Sequence, residues 1–205
     1  WKIENCKQLY DDLIQVIKNN SKTHFFGSIV SVYEPSGRNT EFLIIDGQQR
    51  LTTMSLLFLA MYNLLEEKII ISEDESLKDQ IYEDFLVDKY QPQEKRMKLK
   101  PIKNDQKAFS KLFNSKDDYI KDSNLTINYS YFYERIQKQE ITIDELFDAI
   151  CRLEIINITL NNEDNPQLIF ESLNSTGLDL SEGDKIRNYI LMGLPKQKQD
   201  EYYEK

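Results

Sequence analysis

The run Ile44-Ile45-Asp46-Gly47-Gln48-Gln49-Arg50-Leu51-Thr52-Thr53 carries residue types suited to holding an anion. An apolar strand gives way to a polar turn, and the turn opens into a helix. The first turn of a helix has unpaired backbone N–H groups and the positive end of the helix dipole, which together favour negative charge. Gly47 permits close backbone approach or a positive φ. Arg50 adds a planar guanidinium fork that matches phosphate oxygens. Asp46 is placed either to cap the helix or to hold a cation beside the anion, and Thr52 and Thr53 add hydroxyls. The competing reading is a plain strand–helix turn, with Asp46 as N-cap and Gln48, Gln49 and Arg50 solvated. It is not a P-loop, whose pattern of two glycines with four residues between them, followed by Lys and Ser or Thr, is absent.

A second stretch runs from Phe170 to Asn188. Gly177 suits a helix terminus, and Ser181 with Asp184 suits a capping arrangement that opens the next helix. That account leaves Asn174 and Lys185 unexplained, and both are candidates to face a ligand across a helix–turn–helix corner. A third stretch, residues 89–107, holds seven basic residues against two acidic ones. A solvated face is its simpler reading and phosphate or nucleic-acid contact the alternative. Tyr90 is its one aromatic residue, so a stacking platform for single strands is not indicated.

Other chemistries are excluded by composition. The chain has 205 residues, 35 Asp and Glu against 26 Lys and Arg, and a net charge of −9, which argues against coating nucleic acid or membrane by bulk charge. One histidine, His24, cannot build a two-histidine metalloprotease or nuclease site. Cys6 and Cys151 form no CxxC pair, which fits a reducing compartment. Tyr129, Tyr131, Phe132 and Tyr133 read as helix core. The carboxylate pairs Asp11-Asp12 and Asp117-Asp118 have no feature that marks either as catalytic. No metal ligands stand out, and the longest apolar stretch is too short to cross a bilayer. The chain starts at Trp1 rather than Met and reads as a piece of a longer protein.

The elements that must position these residues follow from periodicity. Apolar spacing predicts a helix over 5–19, with Asn5 and Gln8 as its capping pair. Strands are predicted over 25–33 and 41–45, paired as a hairpin through turn residues 35–39. A long apolar helix covers 51–67. Residues 66–88 are acidic, with a helix expected around 77–87. Further helices are expected at 104–114, 128–138 and 142–152, then a strand at 153–160, then helices at 165–173, 182–193 and 196–205. Regular βαβ alternation is missing, so the fold class is α+β.

At Asp46-Gly47-Gln48-Gln49-Arg50 the chain resembles the N-terminal domain of GmrSD-type restriction endonucleases, in the wider ParB/sulfiredoxin-like superfamily. Phe25-Phe26-Gly27-Ser28-Ile29 precedes the motif at the family's distance, and Leu51-Thr52-Thr53 follows it. Ile169 to Ser181 and Asp184-Lys185-Ile186-Arg187-Asn188 resemble the family's second signature. The resemblance implies a small N-terminal ParB/sulfiredoxin-like β element with a long DGQQR helix over residues 1–67, and a mostly helical part over 68–205. It implies a regulatory domain of a bacterial, cytoplasmic restriction or phage-defence protein that binds a nucleoside triphosphate and can hydrolyse it, with Mg²⁺ if hydrolysis occurs. It also implies DNA as partner of the full-length protein, no membrane partner, and an HNH-like nuclease domain or subunit outside this chain. The implied phosphate contacts are Asp46, Gly47, Gln48, Gln49, Arg50, Thr52, Thr53 and Asn174, with no catalytic residue named. The alternative is a non-catalytic module that binds DNA phosphate or another protein.

Overall fold

The computed structural model describes residues 2–36, 39–92 and 96–160. In these residues helices dominate and three strands form one small sheet, which makes the fold α+β. The elements are α1 (Ile3–Lys18), β1 (His24–Ser36), β2 (Asn39–Asp46), α2 (Gln48–Glu66), α3 (Leu77–Gln80), α4 (Lys103–Lys111), α5 (Asn124–Gln137), α6 (Ile143–Cys151) and β3 (Leu153–Leu160). A π-helical segment, Ile81–Leu86, continues α3, and a 3-10 turn spans Lys116–Asp118. The expected helices at 165–173, 182–193 and 196–205 lie outside the described residues. No described helix is long and apolar enough to cross a membrane.

The chain divides into two compact units. The first holds residues up to Phe26 and then Gln48–Glu154. Its centre is α2, in which six consecutive residues, Leu56 to Met61, are all buried. A helix buried around its whole circumference is a core helix rather than a surface one. It packs along α5 and along Ile81–Leu86, while α1 packs on α5 and α6. The π-helical turn closes with the Val87 N–H donating to the Tyr82 carbonyl at 2.9 Å. Over this segment Phe85 stacks on Phe58 at 4.2 Å between ring centroids, and Tyr82 stacks on Tyr62 at 4.7 Å. Such offset ring pairs add to the burial of their apolar area.

Helix starts obey capping chemistry, not always at the expected residue. At α6 the Thr142 hydroxyl accepts from the Glu145 N–H at 3.1 Å, and the Glu145 carboxylate accepts from the Thr142 N–H at 2.8 Å. This is a reciprocal capping box. At α5 the Ser123 hydroxyl accepts from the Leu125 N–H, so the helix begins at Asn124, four residues before the expected start. At α1 the helix begins at Ile3 rather than residue 5. Asn5 sits within its first turn and accepts from the Lys2 N–H at 3.1 Å, while the Gln8 side chain donates to Asp12 at 2.8 Å. The expected Asn5–Gln8 capping pair is therefore replaced by a Lys2–Asn5 one.

Among the described residues the second unit contains Gly27–Gly47 and Ile155–Leu160. Strand order is β2-β1-β3, with β1 and β2 antiparallel. The hairpin ladder reaches Ser36 opposite Asn39, so two residues link the strands rather than the five-residue turn expected. At its other end Val30 lies opposite Asp46 while Ser31 lies opposite Ile44, which leaves Ile45 as the extra residue of a bulge. Bulges re-aim the strand that carries them. Ile45 packs with Val30 and Leu160 in a small buried cluster, flanked by Val32 and Ile158.

Candidate functional site

Strand β2 ends at Asp46 and helix α2 begins at Gln48, so Asp46 to Arg50 form a strand–turn–helix corner. The helix starts three residues earlier than its apolar pattern indicates. Gln48, Gln49 and Arg50 are polar and hide the start, yet they make up the first helical turn. Their backbone N–H groups are among those that a helix leaves without intrahelical partners. Gln48 and Gln49 are exposed and Arg50 is half-buried. Asp46 is half-buried as the last residue of the strand. Gly47 is the residue that immediately precedes the helix, with Asp46 one position before it.

Gly47 makes the corner possible. Its φ is +88°, a region that L side chains rarely adopt. A Cβ added there would stand 2.9 Å from the Ser28 carbonyl oxygen and 3.0 Å from Ile29 Cγ1. The strand segment Gly27-Ser28-Ile29 therefore forms a wall against which only a glycine fits. This role of Ser28 and Ile29 was not evident in the sequence, although their fixed distance from the motif was. Asp46, Gln48, Gln49 and Arg50 each interact with neighbouring residues.

The two threonines have different surroundings. The Thr52 hydroxyl donates to the Gln48 carbonyl at 2.8 Å, one helical turn back. Thr53 is buried at 2% exposure and belongs to the interior of its unit. Asn174, Lys185 and the whole second stretch from Phe170 to Asn188 lie outside the described residues.

The remaining candidates have structural partners. His24 donates its backbone N–H to the Arg152 carbonyl at 2.9 Å, and its Nε2 lies 3.7 Å from an Asp12 carboxylate oxygen. Tyr129 and Phe132 are core residues, as their spacing indicated. The Tyr129 hydroxyl accepts from Asn63 at 2.7 Å. The Tyr133 hydroxyl donates to Glu67 at 2.6 Å, and Lys116 pairs with the same carboxylate at 2.8 Å. Burial alone would raise the Glu67 carboxyl, but these two hydrogen bonds and the Lys116 charge hold it below its ordinary value. Cys6 is buried and its thiol is pushed up to about 11, chiefly by desolvation, so it is not a poised nucleophile. Within the basic run, Lys89 pairs with Glu83 at 2.6 Å and Lys98 donates to the Asp84 carbonyl at 2.8 Å. Among the described residues no group of three or more His, Cys, Asp or Glu could hold a metal ion by itself.

No individually curated protein matches the sequence. The chain does match, over residues 1–191, the family described as GmrSD restriction endonuclease, N-terminal domain. The match covers the corner at Asp46–Arg50, the wall at Ser28 and Ile29, and all the described elements. The chain therefore belongs to the GmrSD restriction endonuclease N-terminal domain family, the domain of a restriction, or phage-defence, protein.

Proposed function

We propose that the corner Asp46–Arg50 binds the phosphates of a nucleoside triphosphate, and that this domain uses the nucleotide to regulate a companion nuclease that acts on foreign or modified DNA. The observation that carries the reading is Gly47 at φ +88°, seated against Ser28 and Ile29, with Gln48 to Arg50 as the first turn of α2. Backbone N–H groups at a helix start are fixed dipoles that need no reorganisation to meet an anion. Arg50 adds full charge, and a guanidinium offers two parallel donors to a phosphate. Asn174 is a further contact in this reading.

Hydrolysis is the finer step. Mg²⁺ retains waters and binds through one or two carboxylates together with substrate phosphates, not through a protein cage. Asp46 fits that donor set as the one carboxylate of the corner. The ion would offset phosphate charge during transfer. The Thr52 hydroxyl, tied to the Gln48 carbonyl, would hold the first turn in shape.

The test is calorimetric titration of the complete protein with each of the four ribonucleoside triphosphates, with and without Mg²⁺. Saturable binding of at least one triphosphate, in a one-to-one ratio, is the expected result. No binding of any triphosphate under either condition would overturn the reading.

A further inference from the structure

A cavity of about 470 Å³ lies beside the start of α5, and no residue of the Asp46–Arg50 corner lines it. Its walls come from α1, from the stretch 116–121 and from α5, all within the first unit. Ile3 and Ile127 supply apolar side chains, and Tyr119 and Tyr131 supply rings. Part of the wall is fixed in advance. The Tyr119 hydroxyl donates to the Leu112 carbonyl at 3.4 Å, and its ring stands edge-on to Tyr129 with centroids 5.6 Å apart. The volume falls in the usual range for small-molecule sites.

The first turn of α5 contributes to this wall. The Ser123 hydroxyl accepts from the Leu125 N–H at 3.2 Å, and the Ser123 carbonyl accepts from the Ile127 N–H at 3.0 Å. Thr126 lies between them, and its N–H has no acceptor within the helix. Its side chain is unusual as well. Thr126 lines the cavity, is only 6% exposed, and its Oγ1 has no hydrogen-bond partner among the described residues. Buried hydroxyls are nearly always paired, and an unpaired one destabilises the fold. A ligand oxygen at this wall would accept from the Thr126 hydroxyl and N–H together, where the helix dipole favours negative charge. Lys121 adds an exposed cation to the same cavity. Lys116 is already held there by Glu67 at 2.8 Å and by the Tyr133 hydroxyl at 3.1 Å.

We infer that this cavity binds a small organic anion, with a phosphate or carboxylate head on an aromatic or apolar body. The head meets Thr126 and Lys121, and the body covers Ile3, Ile127 and the two tyrosine rings. Ser130 and Glu134 follow Thr126 at i+4 and i+8, about 6 and 12 Å further along the axis of α5, and they too line the cavity. They offer hydrogen-bond partners to a hydroxyl or amine at the far end of the body. Inorganic phosphate alone would leave the apolar wall uncovered. The site stands apart from the nucleotide reading and does not use the Asp46–Arg50 corner.

In the experiment phenyl phosphate and phenylacetate are each titrated into the complete protein, and amide chemical shifts are followed. At least one should bind saturably, with the largest shifts at Thr126, Ile127 and Ser130, and the tighter of the two identifies the head group. Inorganic phosphate should bind at least about tenfold more weakly than the tighter probe, since it gains nothing from the apolar wall. Thr126→Val keeps the shape and removes the hydroxyl. It should weaken binding about tenfold, while the urea midpoint of the ligand-free protein holds or rises, because an unpaired buried hydroxyl is gone. Thr126→Ser should retain most of the affinity. Lys121→Gln should weaken binding by up to about fivefold, as for an exposed charge pair. Arg50→Ala should leave binding of these probes unchanged, which separates this site from the corner. No saturable binding of either probe would overturn the inference, as would equal loss with Arg50→Ala. A Thr126→Val protein that binds normally, or that loses stability or fails to fold, would overturn it as well, since the hydroxyl would then be idle or structural.

Discussion

Replacing Arg50 with alanine is expected to weaken triphosphate binding about ten- to a hundredfold. The lost interaction is a hydrogen bond between charged groups, which contributes on the order of 1.5–3 kcal/mol, and about 1.4 kcal/mol is tenfold in affinity. Stability of the nucleotide-free protein should change by less than about 1 kcal/mol, because Arg50 is half-buried at the start of α2 and outside its buried core. The two measurements are calorimetric titration and thermal unfolding on the same preparation. Affinity should fall while the thermal midpoint holds. If both fall together, Arg50 is a structural partner within the corner. If neither falls, the phosphates bind elsewhere.

Gly47→Ala should behave in the opposite way, with folding failing first. A side chain at a left-handed φ costs about 1–2 kcal/mol. The Cβ would also stand 2.9 Å from the Ser28 carbonyl oxygen, which is backbone and cannot rotate away. The combined loss is about 2–4 kcal/mol, at the large end for a single substitution. Urea unfolding measures it. Gly47→Asn separates the two contributions, since asparagine tolerates a positive φ better than alanine but brings the same Cβ. If the contact with Ser28 dominates, the two variants lose similar stability. A Gly47→Ala protein as stable as wild type would mean that the corner is looser than the structure shows.

Much of this architecture was legible in the sequence, and the reasons are physical. The hairpin, α2 and β3 come from apolar patterns long enough to fix their type, and β3 covers the expected span of 153–160. The start of α2 was less legible because its first turn, Gln48-Gln49-Arg50, is polar, and apolar periodicity does not register it. The start of α5 lies four residues before the expected one although its first turn carries Leu125 and Ile127. Ser123 was the readable signal at α5, as a hydroxyl N-cap. At α2 the glycine was readable but the atoms it leans on were not. Ser28 and Ile29 meet Gly47 only because β1 pairs with β2, and the close approach depends on the corner's φ as well as on pairing. The π-helical form of Ile81–Leu86 was hidden too, because its apolar residues also satisfy an ordinary helix. The strand order β2-β1-β3 joins residues more than a hundred positions apart, and no local pattern encodes that.

The corner itself can be examined at residue resolution. With backbone amide resonances assigned, a triphosphate whose binding has been established by calorimetry is titrated into the protein, with Mg²⁺ present. The largest and saturable shifts should fall on the amides of Gly47, Gln48, Gln49 and Arg50, with the Arg50 guanidinium shifting in step. Shifts centred on α4, or anywhere in the core of the helical unit, with these four amides unmoved, would contradict phosphate binding at the corner.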